Sequence, residues 1–260
     1  MLMFKVSGRF IRVWQRDFTV YRKSWKISFI PPLLEPLFYL AAFAVGLSGL
    51  VGNLQYRGMD VSYVQFIAPA LIGMSIMYNS FFETTYTSFV RMYYQKTFDA
   101  MMATPLSLDE VITGEIVWGA TRSLIAAGIM LIVISLFGLI RFPHGLLILP
   151  LAFVGGLAFA SIGIFFTAIV PNIDMFNLPV FLFITPMFLF SGTFFPLENL
   201  PGWAQLAALL FPLTHVTNLS RSFCFGELHG NMFWGTGYLL AFNLIFFPLG
   251  LLRMNKRLIK

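Results

Sequence analysis

The sequence predicts an all-α membrane protein: six transmembrane helices, an amphipathic interface helix ahead of them, and short re-entrant helices between spans five and six. Three observations carry that expectation. Of 260 residues, 58% are hydrophobic and 11% charged, and the mean hydropathy is +0.81; this leaves too little polar surface to dissolve a globular domain of that size. Six apolar runs come close to or exceed the roughly 20 residues that a helix needs to cross a bilayer. The basic residues gather beside the ends of those runs, which sorts the loops into two sides.

Residues 1–28 come first. Ile11, Trp14, Phe18, Tyr21 and Trp25 recur at spacings of three, four, three and four, while Arg9, Arg12, Arg16, Lys23 and Lys26 fall on the far side of a helix turning about 100° per residue. An aromatic stripe opposite a basic face suits a helix lying in the headgroup layer. Arg12, Trp14, Arg16, Phe18 and Trp25 are its candidate membrane contacts. The chain is expected to dive at Pro31-Pro32.

Residues 29–260 form the transmembrane domain. Its spans are expected at 29–51, 63–87, 114–139, 145–169, 178–196 and 232–252, with Pro186 kinking the fifth. Six crossings put both ends on one side. That side holds Lys5, Arg9, Arg12, Arg16, Arg22, Lys23 and Lys26, then Arg91 and Lys96, then Arg253, Lys256, Arg257 and Lys260 of the 253–260 tail. The other side holds Arg57, Arg141 and Arg221. The positive-inside rule therefore places both termini in the cytoplasm of a plasma membrane. The net charge of +6 suits an anionic lipid surface, and no nucleic-acid partner is expected. No cleavable signal peptide is expected, and a single cysteine, Cys224, rules out an intramolecular disulfide or a Cys-based metal cluster.

Between spans two and three, residues 93–115 read "YYQKTFDAMMATPLSLDEVITGE". Pro105 is expected to end a helix running from about 88. Ser107 and Glu110 then fit a capping box, with Leu106 and Val111 at the positions of a hydrophobic staple. Helix, tight turn, helix is the expected form. Its tip mixes apolar Phe98, Met101, Met102, Leu106 and Leu108 with Lys96, Asp99, Asp109 and Glu110, and exposed Met and Phe point to a surface that docks on a separate soluble partner.

Residues 197–226 are the second irregular interval. Two apolar pieces, 200–211 and 213–225, are each too short to cross, and Pro201, Pro212 and Gly226 punctuate them. Irregular backbone at membrane depth needs protein or water to satisfy it. Two helices dipping back from the outer face would serve as an outer gate, with Pro196, Glu198, Pro201, Trp203, Phe211, Pro212 and His215 as its residues. Two helices lying flat on the outer surface are the alternative.

Glu35, Glu83 and Arg122 lie in or near apolar runs, where a charge pairs, faces water or snorkels. By depth, Glu83 and Arg122 are placed to meet, either as a structural pair or facing a substrate; Glu35 is expected at the interface. Phe81, Phe82, Tyr86 and Phe89 of span two, with Phe181, Phe183, Phe188, Phe190, Phe194 and Phe195, offer flat surfaces for packing, lipid or an amphipathic cargo. Several chemistries have no visible machinery. The chain lacks a GxxxxGK[ST] loop, an HExxH and a GxSxG, and its histidines (His144, His215, His229) are far apart. No catalytic residue, bound cofactor or metal ligand is expected. A secondary transporter would show an internal repeat and several midplane charges, and Arg122 is the one deep charge. A scaffold that recruits a cytosolic ATPase without transporting stays open.

Three blocks carry a resemblance: "FETTYTSFVRMYYQKTFDAMMATPLSLDEVITGEIVWGATRS" (82–123), "ITPMFLFSGTFFPLENLPGWAQ" (184–205) and "FPLTH" (211–215). Together they resemble the ABC-2 type permeases of bacterial inner membranes. The likeness looks nearest to the branch with nodulation-type lipo-oligosaccharide, polysaccharide and drug exporters. The resemblance implies a permease homodimer, not an enzyme. It implies two ATP-binding-cassette subunits that bind ATP and Mg on their own chain, a coupling element at 96–110 and a gate at 199–225. It also implies outward movement of a lipid-like, glycoconjugate or drug-like molecule.

Overall fold

The computed structural model describes residues 6–46, 52–227 and 231–259. Lys5, His229, Lys260 and the last five residues expected of the first span, 47–51, lie outside them. Six helices are long and apolar enough to cross a membrane. In chain order the elements are α1 (Phe10–Lys23), α2 (Trp25–Gly46), a hairpin of β1 (Asn53–Tyr56) and β2 (Met59–Ser62), and α3 (Tyr63–Tyr94). They continue with α4 (Thr97–Met102), α5 (Leu108–Leu136), α6 (His144–Ile169) and α7 (Ile173–Phe190). The chain finishes with α8 (Gly202–Ala208), α9 (Pro212–Phe225) and α10 (Asn231–Leu258).

The first turn differs from expectation. The break falls at Ser24, whose carbonyl accepts the N–H groups of Ile27 and Ser28 at 3.1 Å each and so starts a new helix. Pro31 and Pro32 sit inside α2. Trp25 is therefore the first residue of the first span and not part of the interface helix.

The hairpin, absent from the sequence expectation, turns at Arg57 and Gly58, whose φ of 50° and 79° are the positive values a two-residue loop needs to match the right-handed twist of its strands. Ser62 then caps α3 with a capping box to Gln65. Helix α3 is longer than the expected 63–87, because wide π turns at Glu83–Thr87 and Val90–Tyr94 carry it on to Tyr94. The helix expected from about 88 to Pro105 is therefore the end of α3 plus the short α4. Lys96, at φ 53°, makes the reversal between them. On the far side of the turn, Ser107 accepts the Glu110 N–H at 3.3 Å and Glu110 accepts the Ser107 N–H at 2.8 Å. Leu106 and Val111 meet in one apolar cluster. We call residues 93–115 the elbow.

Helices α3, α5, α6 and α9 make the core. Thr84 of α3 sits where a Cβ on Gly119 of α5 or Gly163 of α6 would come within 2.7 and 2.1 Å of it, so small residues set how closely three spans approach. The carbonyl of Thr84, in the first π turn, accepts the Thr167 hydroxyl at 2.7 Å. In α7 a π turn at Val180–Ile184 directly precedes Pro186, where a proline strips an intrahelical bond. Helix α9 enters the bundle and is buried along most of its length among α3, α6 and α10. It does not lie flat on a surface. Its partner α8 is largely open, with Trp203 71% and Leu206 69% exposed. The apolar faces of α2 and α7 are uncovered by the protomer, and Phe38 and Phe181 stand out at 68% and 69% exposure.

Candidate functional site

Two regions hold the charged chemistry, one beneath the elbow and one at the opposite end of the bundle. Beneath the elbow, α1, α3 and α5 bring three carboxylates and three buried or half-buried guanidiniums together. Arg91 of α3 donates to Glu83 at 2.9 Å and to Glu115 at 2.6 and 3.1 Å, and stands 3.9 Å from Asp17 of α1. Glu83 also accepts the Trp118 indole N–H at 2.9 Å and pairs with Arg122 at 3.5 Å. Arg16 closes the set on Asp17 at 2.5 Å. Arg122 stacks over Tyr21, 4.8 Å from its ring centre. The expected Glu83–Arg122 pair is thus present, but Arg91 is the nearer cation to Glu83.

The cation count places Arg91 in a loop and leaves Arg122 as the one deep charge. Both expectations are corrected: Arg91, Glu83, Glu115 and Asp17 are all buried. The π turn explains the first. Residues eight apart on an ordinary helix lie about 80° apart around its axis, and a wider turn brings Glu83 and Arg91 nearer one face. Asp17 is set in the face of α1 that meets α5, where burial pushes its carboxyl above the ordinary range against the pull of Arg91 and Arg16.

Helix α1 is fastened along α5. A Cβ on Gly114 would meet that of Val13 at 2.5 Å, so the two backbones cross where α5 has no side chain. Trp14 donates to Thr121 at 2.9 Å and stacks on Phe18, and Phe18 and Tyr21 meet Trp118 edge-on. Arg12 is exposed and Arg16 half-buried.

The elbow divides into a buried frame and an open tip. Phe98 is fully buried, and Leu108, Asp109 and Glu110 are buried as well, which corrects the expectation that they belong to an exposed surface. Lys96, Asp99 and Pro105 are exposed, and Met101, Met102 and Leu106 are half-covered. The segment that leads into α1 and the end of α10 hold the frame. Arg9 donates to the Pro105 carbonyl at 2.8 Å, Ser7 bonds Glu110, and Asn255 near the end of α10 donates to Asp109 at 2.6 Å. Arg257 of α10 also bonds the carbonyls of Thr167 and Val170.

Glu35, expected at the interface, shares a hollow with Glu83 and Arg122. With Tyr39 it faces Tyr78, Phe82, Glu83 and Arg122 across an open hollow of about 470 Å3 between α2, α3 and α5.

At the opposite end, Arg221 of α9 is fully buried, not on an outer face. It donates to the carbonyls of Phe66 at 3.1 Å, Gly192 at 2.6 Å and Thr193 at 3.2 Å, and lies 3.8 Å over the Phe66 ring. Thr217 donates to the Ser191 carbonyl at 3.1 Å. Helix α9 thereby holds the 191–193 bend, where Gly192 has φ +68°. Of the expected gate residues, Pro196 and Pro212 are buried, Phe211 and His215 half-buried, and Glu198, Pro201 and Trp203 exposed. His215 stacks on Tyr238, with ring centres 4.1 Å apart.

The model of the family described as "ABC-2 type transporter" matches residues 9–225. The chain belongs to that family. Nodulation protein J of Rhizobium leguminosarum bv. trifolii is 35% identical over 98% of this chain and 95% of its own length. Nodulation protein J of Rhizobium meliloti (strain 1021) is 32% identical over 95% of this chain and 93% of its own. The inner membrane transport permease YadH of Escherichia coli (strain K12) is 24% identical over 78% of each. As an ABC-2 type permease, the protein is a multi-pass transport subunit, and the family implies an ATP-binding partner subunit. Sequence reasoning missed Asp17, Arg91, Glu115 and Arg221. A usable signal existed for one of them: Glu115, Trp118 and Arg122 stand at i, i+3 and i+7, one face of a helix.

Proposed function

We propose that this ABC-2 permease is the membrane half of an ATP-driven exporter of amphipathic molecules, working as a homodimer above two cassette subunits that bind ATP and Mg. The elbow's division of labour carries the reading. Its exposed tip, with Tyr93, Tyr94, Lys96, Asp99 and Pro105, offers mixed polar and aromatic contact to a soluble subunit. Its buried frame is bonded to α1, continuous with α5 and tied to α10, so a displacement at the tip is passed to three helices instead of being absorbed. At the far end, α9 and the bend it holds form the outer gate, which parts as the protomers rock. Both termini lie in the cytoplasm, supported by the cation count, and the printed name of the Escherichia coli relative supports an inner membrane. The resemblance of residues 82–123, 184–205 and 211–215 to the branch of lipo-oligosaccharide, polysaccharide and drug exporters supports an amphipathic cargo.

The test is a charge reversal confined to the tip. Asp99→Lys with Lys96→Glu leaves the buried frame intact. Co-purification with the cassette subunit and amphiphile-stimulated ATP hydrolysis in nanodiscs should both drop at least tenfold. Full retention of both would remove the elbow from the coupling path. Hydrolysis by the wild-type complex that ignores every amphiphile tried would leave recruitment alone and end the export reading.

A further inference from the structure

The hollow between α2 and α3 holds a carboxylate without a counter-charge. Glu83, on one wall, is fully engaged: one oxygen accepts from Arg91 and Trp118, and the other faces Arg122. The network beneath the elbow is balanced, with Asp17, Glu83 and Glu115 against Arg16, Arg91 and Arg122. Glu35 is outside that balance. Among the described residues it has neither an ion-pair nor a hydrogen-bond partner. It stands ten residues into α2, about 15 Å along the helix, where a lone charge is costly and marks a pathway or a ligand.

The walls beside it are aromatic. Tyr78 stacks on Phe82 with ring centres 5.6 Å apart, and Tyr39 on Phe43 at 6.1 Å. Ring faces are the negative pole of an aromatic quadrupole and attract cations, most strongly where water is scarce. A volume of about 470 Å3 falls in the range of pockets that take a small organic molecule. An anion would meet Glu35, and the one cation among the described lining residues, Arg122, is already paired with Glu83 at 3.5 Å and lies over the Tyr21 ring.

We propose that this hollow binds the positively charged group of an amphipathic molecule, with Glu35 as its counter-charge and Tyr39, Tyr78 and Phe82 as its walls. This rests on the export reading for its purpose, since a site at this depth serves a passing cargo. The cargo class it selects is a lipophilic cation such as an ammonium.

Two ions of one shape and opposite charge test it. Tetraphenylphosphonium and tetraphenylborate are dialysed against the wild-type permease in phosphatidylcholine nanodiscs, with empty discs subtracted. The phosphonium should bind saturably and the borate at least tenfold more weakly. Glu35→Gln should weaken phosphonium binding about tenfold, or 1.4 kcal/mol, and Glu35→Asp, which keeps the charge, should stay within about threefold. Equal binding of the two ions overturns the proposal, since a protonated, neutral Glu35 would not distinguish them. So does unchanged binding by Glu35→Gln, or an equal loss in both variants. Binding is read without ATP. A wild-type complex whose hydrolysis answers no amphiphile would sink the export reading and leave this binding result standing, whereas responsive hydrolysis with charge-blind binding would sink only the site.

Discussion

Arg91 and Arg221 are both shut away inside one helical bundle, yet they are neutralised by opposite means. Arg91 is surrounded by carboxylates from three helices. Among the described residues Arg221 has no carboxylate at ion-pair distance: three backbone carbonyls and the rings of Phe66 and Tyr56 receive it. A guanidinium has five donors in a planar fork and serves either arrangement. The consequences differ. Carbonyls are dipoles that stay neutral when the arginine goes, so its loss is felt only as missing hydrogen bonds around one bend. Carboxylates left behind are uncompensated charges, and their repulsion would be felt in every helix that supplies one.

The comparison is broken most severely by Arg91→Met. Removing one partner from a buried ion cluster costs about 3–5 kcal/mol. The expected outcome is a large drop in thermal midpoint in detergent, together with proteolytic exposure of α1. Arg221→Met should cost about 2 kcal/mol, the scale of orphaned carbonyls, and protease access should increase around residues 191–193 while α1 stays docked. Should both variants loosen the same segment, the two ends of the bundle are not independent and the contrast fails.

Two smaller changes sharpen it. Gly114→Val drives a side chain into Val13 and should cost about 1–3 kcal/mol as overpacking. A lower thermal midpoint in detergent, with earlier proteolytic release of α1, is the measurement. Asp17→Asn has the smallest expected effect. Burial raises the Asp17 carboxyl above its ordinary value, so the folded state holds this proton more tightly than the unfolded chain does. That contribution is fully present below the ordinary carboxylate range and is lost as pH rises through the raised value. The asparagine variant should therefore show a flatter dependence of stability on pH in the acidic range and be no less stable at neutral pH. A steeper dependence in the variant would mean that Asp17 is held chiefly by its arginines.

The bundle's architecture could be read in advance because its signals are local. Membrane-length apolar runs mark the spans, and Ser107 with Glu110 marks the start of α5 within four residues of chain. Pro212 and Gly226 likewise bracket α9. The charge network could not be read the same way, because its members come from three helices and the rule used to orient the spans treats an arginine as a sign of water. Arg91 and Arg221 were counted as loop charges for that reason. Phe98 shows the same limit. An apolar residue in a polar interval looks exposed until the chain folds back and covers it with α5 and its neighbours. The candidate elbow was thus legible as a shape, but which of its residues face outward was not.

Asn255 reaches Asp109 from the last helix, which has a practical consequence. Helix α10 therefore ends, at Leu258, within a turn of a bond to the elbow. A purification tag or fluorescent fusion attached beyond it would crowd the elbow, whereas an insertion in the turn between β1 and β2 would leave the elbow clear.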